Sequence, residues 1–298
     1  MTVPTTPRLI PALTEISAPY DALLCDLWGC LHNGLRPYPA AVAALAEFRA
    51  KGGRVVLLTN SPRPESSVVR QLDGLGVPRE VYDLVVTSGD AAQAGMLAGA
   101  VGRKVWHLGP EKDVRFFTDI PDHLADAPPV ERTGFDAAEG IVCTGPFTDE
   151  DQPEAYRGRL MLARERGMKL LCANPDIVVD QGEVRLWCAG ALAQLYTEIG
   201  GESLYFGKPH PPIYDLARQR LVAIGAAVQN DRILAVGDGL YTDVQGAIAE
   251  DIDVIFVTGG LAARETATPE GGQPDPALLE QFLEGTGLSP GFAIGGLR

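Results

Sequence analysis

Residues 22–34, with the sequence ALLCDLWGCLHNG, decide the fold class of this chain of 298 residues. The apolar run Ala22-Leu23-Leu24-Cys25 predicts a buried strand that leads directly into Asp26. A carboxylate at the end of such a strand can point at a ligand, and carboxylates serve as phosphoryl-accepting nucleophiles. The alternative is an aspartate that caps a helix or forms a turn. We predict that Asp26 is the nucleophile of a site at the sheet edge.

Outward from this segment, apolar runs alternate with amphipathic stretches, which predicts βα units and a mostly parallel sheet. The pattern indicates further strands at 54–58, 83–86, 104–108, 140–143, 169–172, 204–206, 232–236 and 254–257. It indicates helices at 39–50, 65–75, 91–97, 150–166, 190–199, 212–224 and 242–250, a hairpin at 177–187, and a tail with one short helix at 278–283. A second, weaker βα series lies inside the first and predicts an inserted domain.

Two further polar segments follow predicted strands. In Thr59-Asn60-Ser61, a hydroxyl and backbone N–H groups could hold a phosphate oxygen, or the segment could simply cap the next helix. Lys208, fixed between glycine and prolines in Gly207-Lys208-Pro209, could neutralise a phosphoryl group, or it could be an ordinary surface lysine. Such groups gather at the carboxyl ends of parallel strands, so these segments can converge.

A fourth segment, residues 237–243, carries Asp238 and Asp243 after the apolar run 233–236. Mg²⁺ prefers one or two carboxylates together with waters and phosphate oxygens, so this pair predicts a magnesium site. The spacing does not fit a calcium-binding EF-hand loop. Two helix-capping aspartates are the structural alternative.

Together and in this order, the four segments resemble the haloacid dehalogenase superfamily over residues 23–257. The finer resemblance is to class IIA, the NagD-like and 4-nitrophenyl phosphatase-like group. It rests on Gly34, on Asn174-Pro175-Asp176 and on Gly207-Lys208-Pro209 followed by Ile213-Tyr214. The resemblance implies a Rossmann-like parallel-sheet core domain at 1–88 and 204–298, with an inserted α/β cap domain of C2 type at 89–203.

The resemblance also implies a mechanism. Mg²⁺ would bind Asp26, Asp238 and the backbone carbonyl of Trp28, with Asp243 as a further metal carboxylate. Asp26 would form an aspartyl-phosphate while Lys208 stabilises the charge. The phosphate and substrate contacts would be Thr59, Asn60, Ser61, Asn174 and Asp176.

Trp28 departs from the family pattern, because phosphatases of this family carry a second aspartate at that position. That aspartate protonates the leaving group, and such general acid catalysis contributes about 10²–10⁴-fold. His32, in the same loop, is a candidate replacement acid because its natural pKa lies near neutrality, or it could be a histidine that packs the loop or faces solvent. His210 and Asp176 are further candidates. The alternatives are a substrate that needs no acid, cleavage of a different bond, or a non-catalytic protein that binds a phosphorylated ligand.

Composition limits the partners. A net charge of −14 argues against binding to nucleic acid or to an anionic membrane surface. The sequence shows no signal peptide and no apolar run of membrane length, so we expect a soluble, cytoplasmic protein. Its expected partner is a small phosphorylated metabolite, and the resemblance suggests a homodimer. An odd number of cysteines without a CxxC pair predicts reduced core residues: Cys25, Cys30, Cys143, Cys172 and Cys188.

Overall fold

A computed structural model describes residues 6–182 and 184–298, in which strands β1–β14 and helices α1–α9 are numbered in chain order. The larger sheet has the strand order β1-β14-β13-β12-β2-β3-β4, and every neighbouring pair is parallel. Its strands are β1 (Arg8–Leu9), β2 (Ala22–Cys25), β3 (Arg54–Thr59), β4 (Leu84–Thr87), β12 (Ile233–Gly237), β13 (Asp253–Val257) and β14 (Phe292–Ile294). The helices of this core domain are α1 (Pro39–Ala50), α2 (Glu65–Leu75), α7 (Pro211–Ala223), α8 (Gln245–Ala249) and α9 (Pro276–Leu283).

The central strands are continuously apolar because helices cover both faces of the sheet. Along β2, Leu23 packs into the cluster that includes Phe48 of α1, whereas Leu24 packs on the opposite face with Tyr214 of α7. Successive side chains of a strand point to opposite faces, so one unbroken apolar run supplies two core layers.

A second sheet lies between β4 and α7 in the chain. Its order is β11-β8-β7-β5-β6, and all its pairs are parallel. We call residues 88–206 the inserted domain. Its elements are α3 (Ser88–Leu97), β5 (Lys104–Leu108), α4 (Arg115–Thr118), β6 (Glu131–Thr133), β7 (Gly140–Cys143), α5 (Arg157–Glu165), β8 (Lys169–Cys172), β9 (Val178–Gln181), β10 (Val184–Trp187), α6 (Ala189–Glu198) and β11 (Glu202–Tyr205).

The predicted α/β fold with a parallel-sheet core is confirmed, but several element boundaries were wrong. The expected boundary at 203/204 cuts through β11, which pairs with β8 and belongs to the inserted domain. The helix expected at 150–166 starts later, because a 3₁₀ turn at Pro153–Tyr156 precedes α5. Strands β1 and β14 are too short to leave an apolar pattern, and they form through pairing at the sheet edge.

The antiparallel hairpin of β9 and β10 reaches from the inserted domain to the core. Gly182 N donates to Asn33 O at 3.2 Å, so the hairpin tip contacts the loop that follows β2. The predicted second hairpin strand also included Glu183, which lies outside the described residues. The hairpin therefore covers the carboxyl edge of the larger sheet. No helix in the described ranges is long and apolar enough to cross a membrane.

Candidate functional site

A buried lysine joins the end of β3 to the segments that follow β2 and β12. Lys208 Nζ donates to Asp26 Oδ1 at 2.6 Å, to Asp243 Oδ1 at 2.6 Å and to the Leu58 carbonyl at 3.0 Å. An ammonium has three donors, so this geometry uses all of them. Lys208 is 2% exposed and Asp26 is 7% exposed, which makes these charge-assisted hydrogen bonds less screened than surface ion pairs.

Burial and mutual charge shift the pKa values of this cluster. Burial disfavours the charged lysine, yet Asp243 and Asp26 outweigh that effect and hold the pKa of Lys208 well above its ordinary value. Burial raises the pKa of Asp26 against the opposing charge of Lys208. Burial likewise raises the pKa of Asp238, and repulsion from Asp26 and Asp243 adds to it. One lysine thus faces an excess of buried carboxylates, which favours binding of a further cation.

The donor set suits a divalent metal ion. Ligand atoms of Asp26, Cys30 and Asp238 lie within 4.8 Å of one another. A Cβ at Gly29 would lie 2.1 Å from Asp238 Oδ2, so only glycine leaves room for this carboxylate. Burial raises the pKa of the Cys30 thiol well above its ordinary range, which keeps it protonated and a poor ligand for a hard cation. Asp26 and Asp238 therefore fit Mg²⁺, and the carbonyl of Trp28 remains a predicted ligand.

Asp243, expected as a metal carboxylate, has a different environment. Its Oδ1 accepts from Lys208, and its Oδ2 accepts from Gly239 N at 3.1 Å and from Thr242 Oγ1 at 3.4 Å. Its carboxylate is not among the ligand atoms that lie within 4.8 Å of one another beside Asp238. Because both oxygens are engaged by protein donors, Asp243 is positioned to hold Lys208 rather than to bind the metal.

The residues expected to contact phosphate also differ in role. Thr59 and Ser61 line the cavity described below, and Thr59 Oγ1 accepts from Ser61 N at 3.2 Å. The Asn60 side chain instead holds the backbone of Lys208. Its Oδ1 accepts from Lys208 N at 2.7 Å, and its Nδ2 donates to Lys208 O at 3.1 Å. The Asn60 side chain is thus not free for phosphate, because the lysine backbone occupies it.

Two residues of the inserted domain reach the site. Asn174 Oδ1 accepts from Asp176 N at 3.0 Å, which turns the chain after β8. Asp176 Oδ1 accepts from Asn60 Nδ2 at 2.8 Å, so a hydrogen bond joins the inserted domain to the core. Both residues line the cavity. Burial raises the pKa of Asp176 to about 6, although Lys208 and Asn60 oppose the shift.

Trp28 lines the cavity and packs over Gly34. Gly34 has a φ of +82°, and a Cβ there would lie 2.2 Å from the Trp28 ring. The Trp28 and His32 rings meet edge to face with centroids 5.1 Å apart. The loop after β2 is therefore closed around the indole, and the position of the expected acid is filled by a ring that carries no transferable proton at neutral pH.

Of the two possibilities for His32, the structure favours the histidine that packs the loop over the replacement acid. Its side chain is 0% exposed and does not line the cavity. Its Nδ1 accepts from Gly34 N at 3.0 Å, which supports the turn, while its Nε2 has no hydrogen-bond partner in the described part of the chain. Burial lowers the pKa of His32 to about 4, so it is neutral at physiological pH. His210 stacks on Tyr205 and is not among the residues that line the cavity described below.

A cavity of about 420 Å³ lies between these core loops and the inserted domain. Its floor is the Asp26 and Lys208 cluster, and its wall includes Trp187 of the hairpin. The sequence prediction missed Arg63, which is half-buried and lines the cavity, and whose Nη2 donates to Gln71 Oε1 at 2.5 Å. Its position just after the Thr59-Asn60-Ser61 segment could have indicated that Arg63 lies near the site.

Comparisons with known proteins agree with this geometry. A family model described as haloacid dehalogenase-like hydrolase matches residues 23–120, and one described as HAD-hydrolase-like matches residues 205–289. A crystal structure of a haloacid dehalogenase-like family hydrolase from Brucella suis is 40% identical. It covers 97% of this chain and 100% of that one, with a TM-score of 0.83.

Curated relatives are more distant. The D-glycerol 3-phosphate phosphatase of Mycobacterium tuberculosis is 27% identical over 84% of this chain, which spans 66% of that protein's length, just under two thirds. The ribonucleotide monophosphatase NagD of Escherichia coli is 24% identical over 81% of this chain and 88% of its own.

Proposed function

Because the chain belongs to the haloacid dehalogenase-like hydrolase family, in its NagD-like class IIA, we propose that it is a Mg²⁺-dependent phosphatase of a small phosphorylated metabolite. The observation that carries the proposal is the buried hydrogen-bonded group of Lys208, Asp26 and Asp243 at the floor of a cavity. A lysine paired in this way opposes the effect of burial and favours the ionised form of a nucleophilic carboxylate beside the position where a phosphoryl group would bind.

The geometry leaves Asp26 able to react. Lys208 holds Oδ1 of Asp26, whereas Oδ2 has no hydrogen-bond donor among the described residues. Oδ2 would attack phosphorus in line, forming an aspartyl-phosphate as the bond to the leaving oxygen breaks. Lys208 would balance the charge on the phosphoryl oxygens, and Thr59 and Ser61, which line the same cavity, would donate to them.

Asp26 and Asp238 would hold the metal ion. When bound, Mg²⁺ would neutralise phosphoryl charge as a Lewis acid. The two carboxylates have raised pKa values without it, so loading should also release protons at neutral pH. That release can be measured independently of activity.

The cavity supports a small, polar leaving group. Its volume of about 420 Å³ is at the lower end of ligand pockets. Arg63 and Lys112 contribute positive charge to its walls. Among the described residues, Arg63 forms no salt bridge with a carboxylate. A metabolite with a second anionic group would fit this wall.

The test is phosphate release from sugar phosphates, nucleotides, glycerol phosphate and a nitrophenyl ester, with Mg²⁺ and with EDTA. We expect turnover that EDTA and Asp26→Asn both abolish. Asp73→Asn is the matched control, because Asp73 lies on the exposed surface of α2. Turnover that survives Asp26→Asn would contradict the mechanism. No release from any ester would favour a protein that binds its phosphorylated ligand without cleaving it.

A further inference from the structure

Trp28 leaves the proposed reaction without its usual proton donor, although an alkyl phosphate needs one. We propose that Asp176 of the inserted domain is the general acid and base, an inference that rests on the proposed phosphatase function. Asp176 lines the same cavity as the nucleophile Asp26, and its charge acts on the Asp26 carboxyl. In an in-line displacement the leaving oxygen departs on the side of phosphorus away from the nucleophile, so Asp176 would have to reach that side from the inserted domain.

Hydrogen bonds fix Asp176 near the reacting atoms. Its Oδ1 accepts from Asn60 Nδ2, and the same amide nitrogen donates to the Lys208 carbonyl. Lys208 in turn holds Asp26 through its ammonium. Three hydrogen bonds, through Asn60 and Lys208, therefore link the proposed acid to the nucleophile. Oδ2 of Asp176 has no partner in the described ranges, which leaves it to carry the proton.

Other acidic residues that line the cavity are engaged elsewhere. Asp180 binds Arg185 through both carboxylate oxygens, at 2.7 and 2.8 Å. Asp149 is exposed and pairs with Lys112 at 3.4 Å. Asp113 is surrounded by the charges of Arg63 and Lys112 and not by those of the reacting cluster. The charges of Lys208 and Asp243, by contrast, act on Asp176.

The environment of Asp176 suits proton transfer. The charged and titratable groups that face it are Lys208, Asp243 and Asp26 from the core, and Cys188 and Cys172 from the inserted domain. Burial dominates over the attraction of Lys208, which raises the pKa of its carboxyl to about 6. A carboxylic acid of this strength can give up a proton and regain it near neutral pH.

The two half-reactions balance. In the first, Asp26 bonds to phosphorus, the ester P–O bond breaks, and the leaving oxygen takes the proton of Asp176 to become an alcohol. In the second, the Asp176 carboxylate takes a proton from water as the water oxygen bonds to phosphorus. The aspartyl-phosphate bond then breaks, which restores the Asp26 carboxylate and releases phosphate. The net reaction is ester plus water giving alcohol plus phosphate.

The experiment compares Asp176→Asn with wild type on glycerol phosphate and on the nitrophenyl ester, in single-turnover and steady-state modes. Asparagine keeps an oxygen that can accept from Asn60 and removes only the proton. We expect turnover of glycerol phosphate to fall by about 10²–10⁴-fold. The nitrophenyl ester should give a burst of nitrophenolate, one per enzyme, followed by slow turnover, because its leaving group needs no proton while the second half-reaction still needs a base.

Controls separate this role from tethering of the two domains. Asp176→Glu retains a carboxyl group and should recover part of the glycerol phosphate turnover. Asp136→Asn, on the exposed surface of the inserted domain, should behave as wild type. Circular dichroism should show all variants folded, and Asp176→Glu keeps the test decisive if Asp176→Asn does not fold.

Three outcomes would overturn the proposal. Equal loss on both esters without a burst would assign Asp176 a structural role while leaving the phosphatase function intact. Wild-type turnover of the nitrophenyl ester alone would mean that no residue replaces the missing acid. If wild type releases no phosphate from any ester, the phosphatase function fails, and the role of Asp176 fails with it.

Discussion

Lys208→Met should destabilise the protein by removing the cation that pairs with two buried carboxylates. Methionine fills a similar volume but leaves Asp26 and Asp243, both hydrogen-bonded to the ammonium at 2.6 Å, without a counter-charge. Breaking a buried ion pair by removing one partner costs about 3–5 kcal/mol. We therefore expect the free energy of unfolding at pH 7, measured in urea with EDTA present, to fall by about that amount.

The loss should depend on pH with a defined sign. Without the opposing charge of Lys208, the pKa of Asp26 in the folded state should rise further above that of the unfolded chain. The folded state then binds more protons than the unfolded state, so stability decreases as pH rises. If the folded variant carries about one additional proton, its stability should recover by about 1.4 kcal/mol for each pH unit lowered from 7 towards 5.

Lys51→Met is the matched control, since Lys51 is exposed and pairs with Glu47 on the surface. We expect its effect to stay within about 0.5 kcal/mol. A loss below about 1 kcal/mol for Lys208→Met, or one that does not change between pH 7 and pH 5, would refute the view that this lysine balances the buried carboxylates.

Four further results are expected. Trp28→Asp should raise alkyl phosphate turnover and should make Asp176→Asn far less harmful, as measured by phosphate release in the single and double variants. In wild type, kcat/KM for an alkyl ester should fall as pH rises through about 6, because Asp176 loses its proton there. The value of kcat/KM for the nitrophenyl ester should not show this decrease. Gly34→Ala should lower the free energy of unfolding by about 1–3 kcal/mol, because a Cβ would strike the Trp28 ring at a φ of +82°, and a smaller loss in the Trp28→Ala background would verify the cause. Arg63→Gln should raise KM about tenfold for esters with a second anionic group and leave the nitrophenyl ester unchanged, and equal effects on both would contradict its contact with that group.

Some site residues could be located from sequence because strand ends are easy to recognise. Asp26, Thr59 and Asp238 each follow an apolar run, and parallel strands bring their carboxyl ends to one edge. Lys208 was recognised from its prolines and its order in the chain. The sequence did not reveal strands β1 and β14, which are short and form by pairing with neighbours.

The sequence by itself determined the α/β class, the family and the set of polar segments, since these depend on local periodicity and on residue order. Only the tertiary structure decided what each polar side chain does. His32 is buried under Trp28, Asn60 holds the backbone of Lys208, and Asp243 holds its ammonium. Asp176 reaches the core across a hydrogen bond to Asn60, which is far away in the chain. The physical reason is that burial, charge and hydrogen-bond partners come from segments distant in sequence, and these set the protonation and the accessibility of a side chain.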